Sequence, residues 1–139
     1  MTPSVPIKTH PRGITIQHPQ FRLSVSEKDG TWSLFDRAAK RGKLSGAGFR
    51  LDARGVKPWD LGPEKIRLST KTRKSVFGEG TVVTITRTPA RKSYRPITQV
   101  HLTVYPEHPF VELGWSVRNH RGFEMRIRNV DMLYGGKVL

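Results

Sequence analysis

Hydrophobic and polar residues alternate along most of this chain with a period of two. The alternation is clean in Phe21–Ser26, in residues 100–104 and in residues 111–117. Such a pattern is typical of β-strands that bury one face of a sheet, whereas an amphipathic helix repeats every ~3.6 residues. No segment supports an amphipathic helix of about ten residues. The sequence therefore predicts an all-β protein.

Short turns between the alternating segments favour antiparallel pairing. Lys28-Asp29-Gly30 is a hairpin signal, and residues 106–109 and 119–122 hold the proline, glycine and asparagine typical of turns. The fold expected is an antiparallel β-sandwich with about eight strands or more and little helix. Further strands are predicted at residues 31–36, 49–52, 65–69, 81–87 and 125–134.

Residues outside this pattern are assigned to an arm and to loops. Residues 1–12 hold three prolines and are predicted to be a flexible N-terminal arm, which leaves residues 13–139 as a single sandwich domain. Residues 37–48 and 54–63 are rich in Gly, Lys and Arg. They are predicted to be long loops, and loops on a rigid β-scaffold commonly carry binding residues. The core is predicted to contain Leu23, Val25, Leu34, Leu51, Val100, Leu102, Val104, Val111, Leu113, Trp115, Val117 and Ile127.

Composition excludes several kinds of protein. The 139 residues include no cysteine, which excludes disulfides, thiol catalysis and cysteine-ligated zinc. No apolar run approaches the roughly 20 residues of a membrane helix, so no membrane partner is expected. Residues 1–6 lack the basic and apolar regions of a signal peptide, which makes a cytoplasmic location the default expectation.

Positive charge is concentrated in the middle of the chain. The protein has 25 Lys and Arg against 11 Asp and Glu, a formal net charge of +14. Residues 37–98 hold 16 of the basic and 4 of the acidic residues, a net of +12. A field of this strength attracts polyanions. The sequence leaves open whether the partner is an acidic polysaccharide, a nucleic acid, an acidic protein or the remainder of a larger parent protein.

Motifs for catalysis and metal binding are missing from the sequence. It has no phosphate-binding glycine loop, no His-Glu-x-x-His zinc motif and no nucleophile elbow. Its five histidines show no spacing typical of a metal site. No carboxylate pair for glycoside chemistry can be chosen among the 11 acids on spacing. No cofactor, no metal and no catalysis by this chain alone are therefore expected.

The tryptophans are the best candidates for ligand contact. Trp115 falls in the apolar register of its strand and is expected in the core, while Trp32 follows a turn and fits either core or rim. Trp59 lies in a Pro/Gly-rich loop, and an exposed indole stacks on the face of a sugar or of a nucleobase. The predicted ligand-binding residues are Trp59, with Asp60 and Arg54 as hydrogen-bonding neighbours. The alternative is that Trp59 anchors its loop on the sandwich.

Three stretches carry a family resemblance. Residues 21–36 have a Gly-containing turn before a strand that ends in Asp. Residues 99–119 have a Tyr-Pro-x-x-Pro turn and a strand that ends in Asn, and residues 126–133 contain Ile-Arg-x-Val-x-x-Leu. This layout resembles the N-terminal β-supersandwich domain of α-galactosidase- and raffinose-synthase-type glycoside hydrolases, and also the galactose-mutarotase-like sandwiches of carbohydrate enzymes.

The resemblance implies a scaffold rather than an active site. Such hydrolases keep their catalytic aspartates in a separate (β/α)₈ barrel that would follow this domain. Mutarotases use a histidine pair and a glutamate, for which His101 and Glu124 are the nearest candidates, although neither matches a motif. Because the family sandwich is commonly longer, the chain is expected to be an N-terminal fragment, a trimmed accessory module or an unrelated small β-domain.

Three hypotheses for function follow. The leading one is a non-catalytic, carbohydrate-associated module of a glycoside hydrolase, which binds a glycan, packs on a catalytic barrel or assists homo-oligomerisation. The alternative is a basic nucleic-acid-binding β-barrel in which Trp59, Phe77 and Tyr94 stack on bases. The third is a structural subunit whose basic face docks onto an acidic partner.

Overall fold

The computed structural model describes residues 6–55, 64–90, 95–120, 125–134 and 137–138. These residues form eleven strands and no helix, so none of them belongs to a helix that could cross a membrane. The predicted all-β fold is confirmed. In chain order the strands are β1 (Ile7–His10), β2 (Gly13–Gln17), β3 (Phe21–Ser26), β4 (Trp32–Asp36), β5 (Arg41–Gly55), β6 (Glu64–Ser75), β7 (Gly78–Pro89), β8 (Ile97–Val104), β9 (Val111–Arg118), β10 (Met125–Tyr134) and β11 (Lys137–Val138).

The strands pair antiparallel in two sheets. The larger, seven-stranded sheet has the order β1-β2-β3-β4-β5-β10, and β11 also pairs with β5. The 15-residue β5 is long enough to pair with three strands. Strands β4 and β11 pair with its first half, and β10 pairs with its second half. The four-stranded sheet has the order β6-β7-β8-β9, so each neighbour in space is also the neighbour in sequence. Short turns suffice to connect such a meander.

One apolar layer lies between the sheets. In the strands that cover this layer, such as β3, alternate residues face it, as the period of two requires. Within the four-stranded sheet, Val83 pairs with Leu102 and Ile85 pairs with Val100, and all four side chains are buried. The buried cluster contains Ile14, Ile16, Phe21, Leu23, Val25, Trp32, Ala47, Val83, Ile85, Val100, Leu102 and Val104.

His18 connects the two sheets at one end of the sandwich. Its ring is 2% exposed and stacks on Phe21, with the ring centroids 4.3 Å apart. The backbone N–H of Gln20 donates to Nδ1 at 3.0 Å, so the ring proton is on Nε2, which donates to the carbonyl of Tyr105 at 3.1 Å. Tyr105 directly follows β8 of the other sheet. The neutral imidazole with its proton on Nε2 therefore fits this position.

The β3–β4 turn contacts the four-stranded sheet as well. Gly30 has a φ of +69° and is buried, and the carbonyl of Asp29 accepts a hydrogen bond from the Arg87 guanidinium on β7. Asp29 Oδ1 accepts from the Thr31 hydroxyl at 2.8 Å and from its N–H at 3.1 Å. The Thr31 hydroxyl in particular lowers the pKa of the Asp29 carboxyl. The predicted hairpin is thus confirmed. Its turn also binds the four-stranded sheet through the hydrogen bond from Arg87.

The prediction of a loop over 37–48 is wrong from residue 41 onward, since β5 begins at Arg41. Glycines and cations interrupt the alternation there, but Leu44 still packs on the core and Ala47 is fully buried. Of the other predicted loop, residues 54–55 end β5, and residues 56–63 lie outside the described residues.

The predicted N-terminal arm contains an edge strand. Ile7–His10 forms β1, which pairs with β2 and has all four of its residues exposed. The outermost strand therefore contributes hydrogen bonds to the sheet without contributing to the core.

Most of the predicted core residues are buried or partly buried. Leu34, Val111 and Leu113 are partly buried and pack against the buried cluster. Leu51 and Val117 are also partly buried. The fully confirmed core residues are Leu23, Val25, Val100, Leu102 and Val104.

Two core predictions are wrong: Trp115 is 39% exposed and Ile127 is 45% exposed. Trp115 does have the predicted register, because it pairs with buried Val100. However, β9 is an edge strand, so among the described residues no strand flanks one side of the indole. The ring of Phe49 lies 5.9 Å from it between centroids. Ile127 lies on β10, at the edge of the other sheet.

The stability lost on replacing each of the two tryptophans by alanine should distinguish the centre of the apolar layer from its edge. Trp32→Ala, in the middle of the apolar layer, should lower the free energy of unfolding by about 3–5 kcal/mol. Trp115→Ala should cost only about 1–2 kcal/mol, because much of its surface is already in water. Equilibrium unfolding in urea measures both, and an equal loss for the two variants would contradict the edge assignment.

Acid should destabilise the fold through His18. Burial lowers the pKa of this imidazole below its usual value of 6.5. The unfolded chain therefore binds more protons than the folded chain just below that value, and the free energy of unfolding falls as the pH drops. We expect a lower urea midpoint at about pH 5 than at about pH 7. His18→Asn, whose amide oxygen can replace Nδ1 as acceptor, should reduce that difference, whereas His10→Gln at an exposed position should leave it unchanged.

Candidate functional site

The outer face of the four-stranded sheet carries polar side chains in rows across the strands. This face is the one that points away from the apolar layer, and Arg67, Thr86, Gln99 and Ser116 form one row in the strand register. Ser116 Oγ donates to Gln99 Oε1 at 3.3 Å, and Gln99 Nε2 donates to Thr86 Oγ1 at 3.2 Å. The hydroxyls and the amide thus form a continuous chain beside an arginine.

The next row centres on His101. In the register it contains Ser69, Thr84, His101 and Gly114. Thr84 Oγ1 lies 3.0 Å from His101 Nδ1, and this hydrogen bond holds the orientation of the imidazole ring. Among the described residues, a Cβ added at Gly114 would meet only the Cβ of His101, at 3.9 Å, so β9 leaves space beside the imidazole.

A third row joins the cations of β6 to an acid on β9. It contains Lys71, Val82, Thr103 and Glu112 in the register. Val82 and Thr103 are each 1% exposed although they point away from the core, so longer neighbouring side chains shield them. Glu112 Oε1 lies 3.5 Å from the guanidinium of Arg73. The acid therefore already has a cationic partner.

Four cations share the outer face of β6. Lys65, Arg67, Lys71 and Arg73 occupy alternate positions of this edge strand, with Ser69 between them, and all five are exposed. Side chains two residues apart on a strand are about 7 Å apart. Among the described residues, Lys65, Arg67 and Lys71 have no ion-pair partner. We call these four cations the basic stripe.

A groove of about 340 Å³ opens between the basic stripe and His101. Burial, followed by the positive charges of Lys71 and Arg73, lowers the pKa of the His101 imidazole below its usual value. The imidazole is therefore neutral at pH 7, and its surroundings favour the arrival of negative charge. The groove is lined by Lys71, Thr72, Arg73, Val82 and His101.

A buried tyrosine positions the acid at the end of this face. Tyr105 is fully buried, and its hydroxyl accepts from Ser75 Oγ at 2.9 Å and donates to Glu112 Oε1 at 3.2 Å. Its ring lies over Gly80, where an added Cβ would come within 2.7 Å of the ring carbon Cδ1. Phe77 packs on the same ring at 5.5 Å between centroids. Because Gly80 has no side chain, the Tyr105 ring can pack over it and donate its hydrogen bond to Glu112. Glu112 in turn forms an ion pair with Arg73.

A second cavity, of about 480 Å³, lies at the end of the sandwich where Phe21, Leu34 and Phe110 meet. Its lining is mostly apolar. Its carboxylate, Asp36, accepts hydrogen bonds at Oδ1 from the N–H groups of Ala38 and Ala39, which closes the turn after β4. The cavity therefore offers less polar chemistry than the groove.

Most of the predicted ligand-binding set lies outside the described residues. Trp59 and Asp60 lie outside the described residues, as do Tyr94 and Glu124. Arg54 is on β5, opposite Arg126 in the register, and its side chain lies outside the described set.

Two other candidates from the sequence are described. Phe77 lies in the β6–β7 turn, where it packs with Tyr105, His108 and Phe110. His101 lies in the groove. Within the described ranges, no group of three His, Asp or Glu residues is placed to hold a metal ion.

Sequence reasoning missed the basic stripe as a unit. The signal was present, because cations at 65, 67, 71 and 73 are separated by even numbers of residues and must share one face of a strand. What the sequence lacks is the pairing that sets Thr84 and His101 beside them.

The chain matches no protein-family model, no curated protein and no solved structure. Its function is therefore inferred from the chemistry of this surface.

Gly80→Ala tests the link from Tyr105 to the charged face. The new methyl group must displace a buried ring, so the free energy of unfolding should fall by about 1–3 kcal/mol and the near-ultraviolet signal of Tyr105 should change. Gly114→Ala is the matched control, because its Cβ meets ordinary contacts, and it should be neutral or slightly stabilising. Equal effects of the two variants would contradict the packing of Tyr105 on Gly80.

Proposed function

We propose that this protein is a non-catalytic, carbohydrate-associated β-sandwich module that binds acidic polysaccharides through the basic stripe and the groove. The observation that carries the proposal is the row of Lys65, Arg67 and Lys71 on one face of an edge strand, since these cations have no ion-pair partner in the part of the chain that the structure describes. Cations repeated along a straight strand suit a linear polymer that carries repeated negative charge.

The rows behind the stripe suit sugar hydroxyls. Thr86, Gln99 and Ser116 present donors and acceptors on the same face as Arg67. An acidic polysaccharide needs charge-assisted contacts for its anionic groups and ordinary hydrogen bonds for its hydroxyls. Both kinds of group are within one sheet face here.

Single-stranded nucleic acid fits this face less well. Its binding usually combines phosphate contacts with aromatic rings on which bases stack. Tyr105 is fully buried, and Phe77 packs among other rings in the turn at the end of the sheet. Among the described residues, the middle of the outer face has no Phe, Tyr or Trp ring on which a base could stack.

The proposal is compatible with a place in a glycoside hydrolase. In a longer protein of the kind that the resemblance implies, the stripe would hold an acidic chain beside a catalytic barrel. A competing explanation is that the cations only protect the edge of β6 from pairing with another strand. The two explanations differ, because edge protection requires no ligand.

Affinity electrophoresis tests the proposal. Retardation is expected in gels that contain heparin or polygalacturonate, and not in gels that contain neutral dextran. The double variant Arg67→Gln/Lys71→Gln should weaken binding about tenfold, since two charge-assisted contacts are lost. The matched control Lys8→Gln/Arg12→Gln makes the same change in net charge on the other sheet and should have little effect.

Three other outcomes would contradict the proposal or favour a different ligand or site. Equal losses in the two double variants would show that net charge alone causes the retention and would contradict the proposal. Retention by duplex or single-stranded DNA but by no polysaccharide would favour the nucleic-acid alternative. Retention by neutral dextran that Trp59→Ala abolishes would move the glycan site to the predicted loop.

A further inference from the structure

The groove beside His101 has the groups of an anion site. Lys71 and Arg73 supply two cationic ends at its rim, and Val82, only 1% exposed, supplies an apolar floor between the strands. Gly114 leaves the far side of the imidazole open. A volume of about 340 Å³ lies near the small end of the range for ligand sites and suits one sugar residue with its anionic group.

The imidazole is oriented to act as a donor when it is protonated. Nδ1 of His101 forms a hydrogen bond with Thr84 Oγ1 at 3.0 Å. In the imidazolium both nitrogens carry protons, so Nδ1–H donates to that hydroxyl and Nε2–H remains for a ligand. Among the described residues, none forms a hydrogen bond with Nε2.

The charged groups near His101 on the strands that face it leave a net positive charge. Burial lowers the pKa of the imidazole most, and the positive charges of Lys71 and Arg73 on β6 lower it further. Thr84 on β7 carries no charge. From β9 comes Glu112, which is already engaged by Arg73 at 3.5 Å and by the Tyr105 hydroxyl at 3.2 Å. An anion in the groove would remove the excess of positive charge, and it would make protonation of His101 favourable.

We infer that one carboxylate or sulfate group of the acidic polysaccharide binds in this groove between Lys71, Arg73 and His101, and that its binding adds one proton to His101. This inference rests on the proposed function and specifies the ligand group at that site. The step balances as neutral imidazole plus anion plus one proton from solvent, which together give an imidazolium–anion pair. No other covalent bond forms or breaks.

Calorimetric titration over about pH 5.5 to 8 tests the inference. The probes are oligosaccharides of dextran sulfate and of polygalacturonic acid, with neutral dextran as the blank, so that sulfate and carboxylate are distinguished. The affinity should fall by up to about tenfold for each unit that the pH rises, over the range in which His101 must gain its proton on binding. Titrations in two buffers of different ionisation enthalpy should show uptake of up to about one proton per site.

Variants assign the proton. His101→Gln should retain part of the binding through the basic stripe but lose both the pH dependence and the proton uptake. His10→Gln, which removes an exposed histidine on the other sheet, should keep both. If His101→Gln does not fold, nitrogen NMR of the wild-type histidines at about pH 7 gives the same answer, because dextran sulfate should convert the His101 signals to those of imidazolium.

The outcomes separate this inference from the proposed function. Binding without proton uptake, or uptake that persists in His101→Gln, overturns the inference and leaves the basic stripe as a polyanion site. An absence of binding to every acidic polysaccharide at low salt overturns both. Uptake seen only with sulfate, or only with carboxylate, identifies the group that the groove accepts.

Discussion

The rest of the structure depends on the apolar layer between the two sheets. Once Val83, Ile85, Val100 and Leu102 face that layer, every second residue of their strands must face outward, because the side-chain period of a strand is two. The same constraint acts on β6, where Ile66 and Leu68 pack against the core. A row of cations on the opposite face is the direct consequence, so the candidate site and the core share one register.

The contacts at the ends of the sandwich keep that register. His18 joins the β2–β3 connection to the carbonyl of Tyr105, and Arg87 joins β7 to the β3–β4 turn through Asp29. Both contacts are hydrogen bonds to backbone carbonyls, which require a defined position of the partner strand as well as its chemistry. Tyr105 has a second role, because its hydroxyl orders Glu112 at the edge of the charged face. Tyr105 therefore contacts the other sheet through its backbone carbonyl and the charged face through its hydroxyl.

The charge of the protein acquires a location only in the folded state. The net of +12 over residues 37–98 is spread over the three strands β5, β6 and β7 and the segments outside them. The strand period puts Arg67, Lys71 and Arg73 on one face of β6, and the pairing of the sheet brings Glu112 of β9 within 3.5 Å of Arg73. A field that merely kept the protein soluble would not require polar rows in register behind the cations. The hydrogen-bonded row of Thr86, Gln99 and Ser116 distinguishes this surface from a simply charged edge.

The sequence by itself determined the fold class and most strands, because burial of one sheet face leaves a period of two in residues such as Phe21–Ser26. It failed at the first half of β5, where glycines and cations hide the alternation although Ala47 is fully buried. It placed Trp115 on the correct face but could not give its exposure, since position at a sheet edge is decided by strand order. The even spacing of the β6 cations was readable from the sequence. The neighbours that make a site of them, Thr84 and His101, were decided only by antiparallel pairing with β7 and β8, because no local pattern encodes which strands lie side by side.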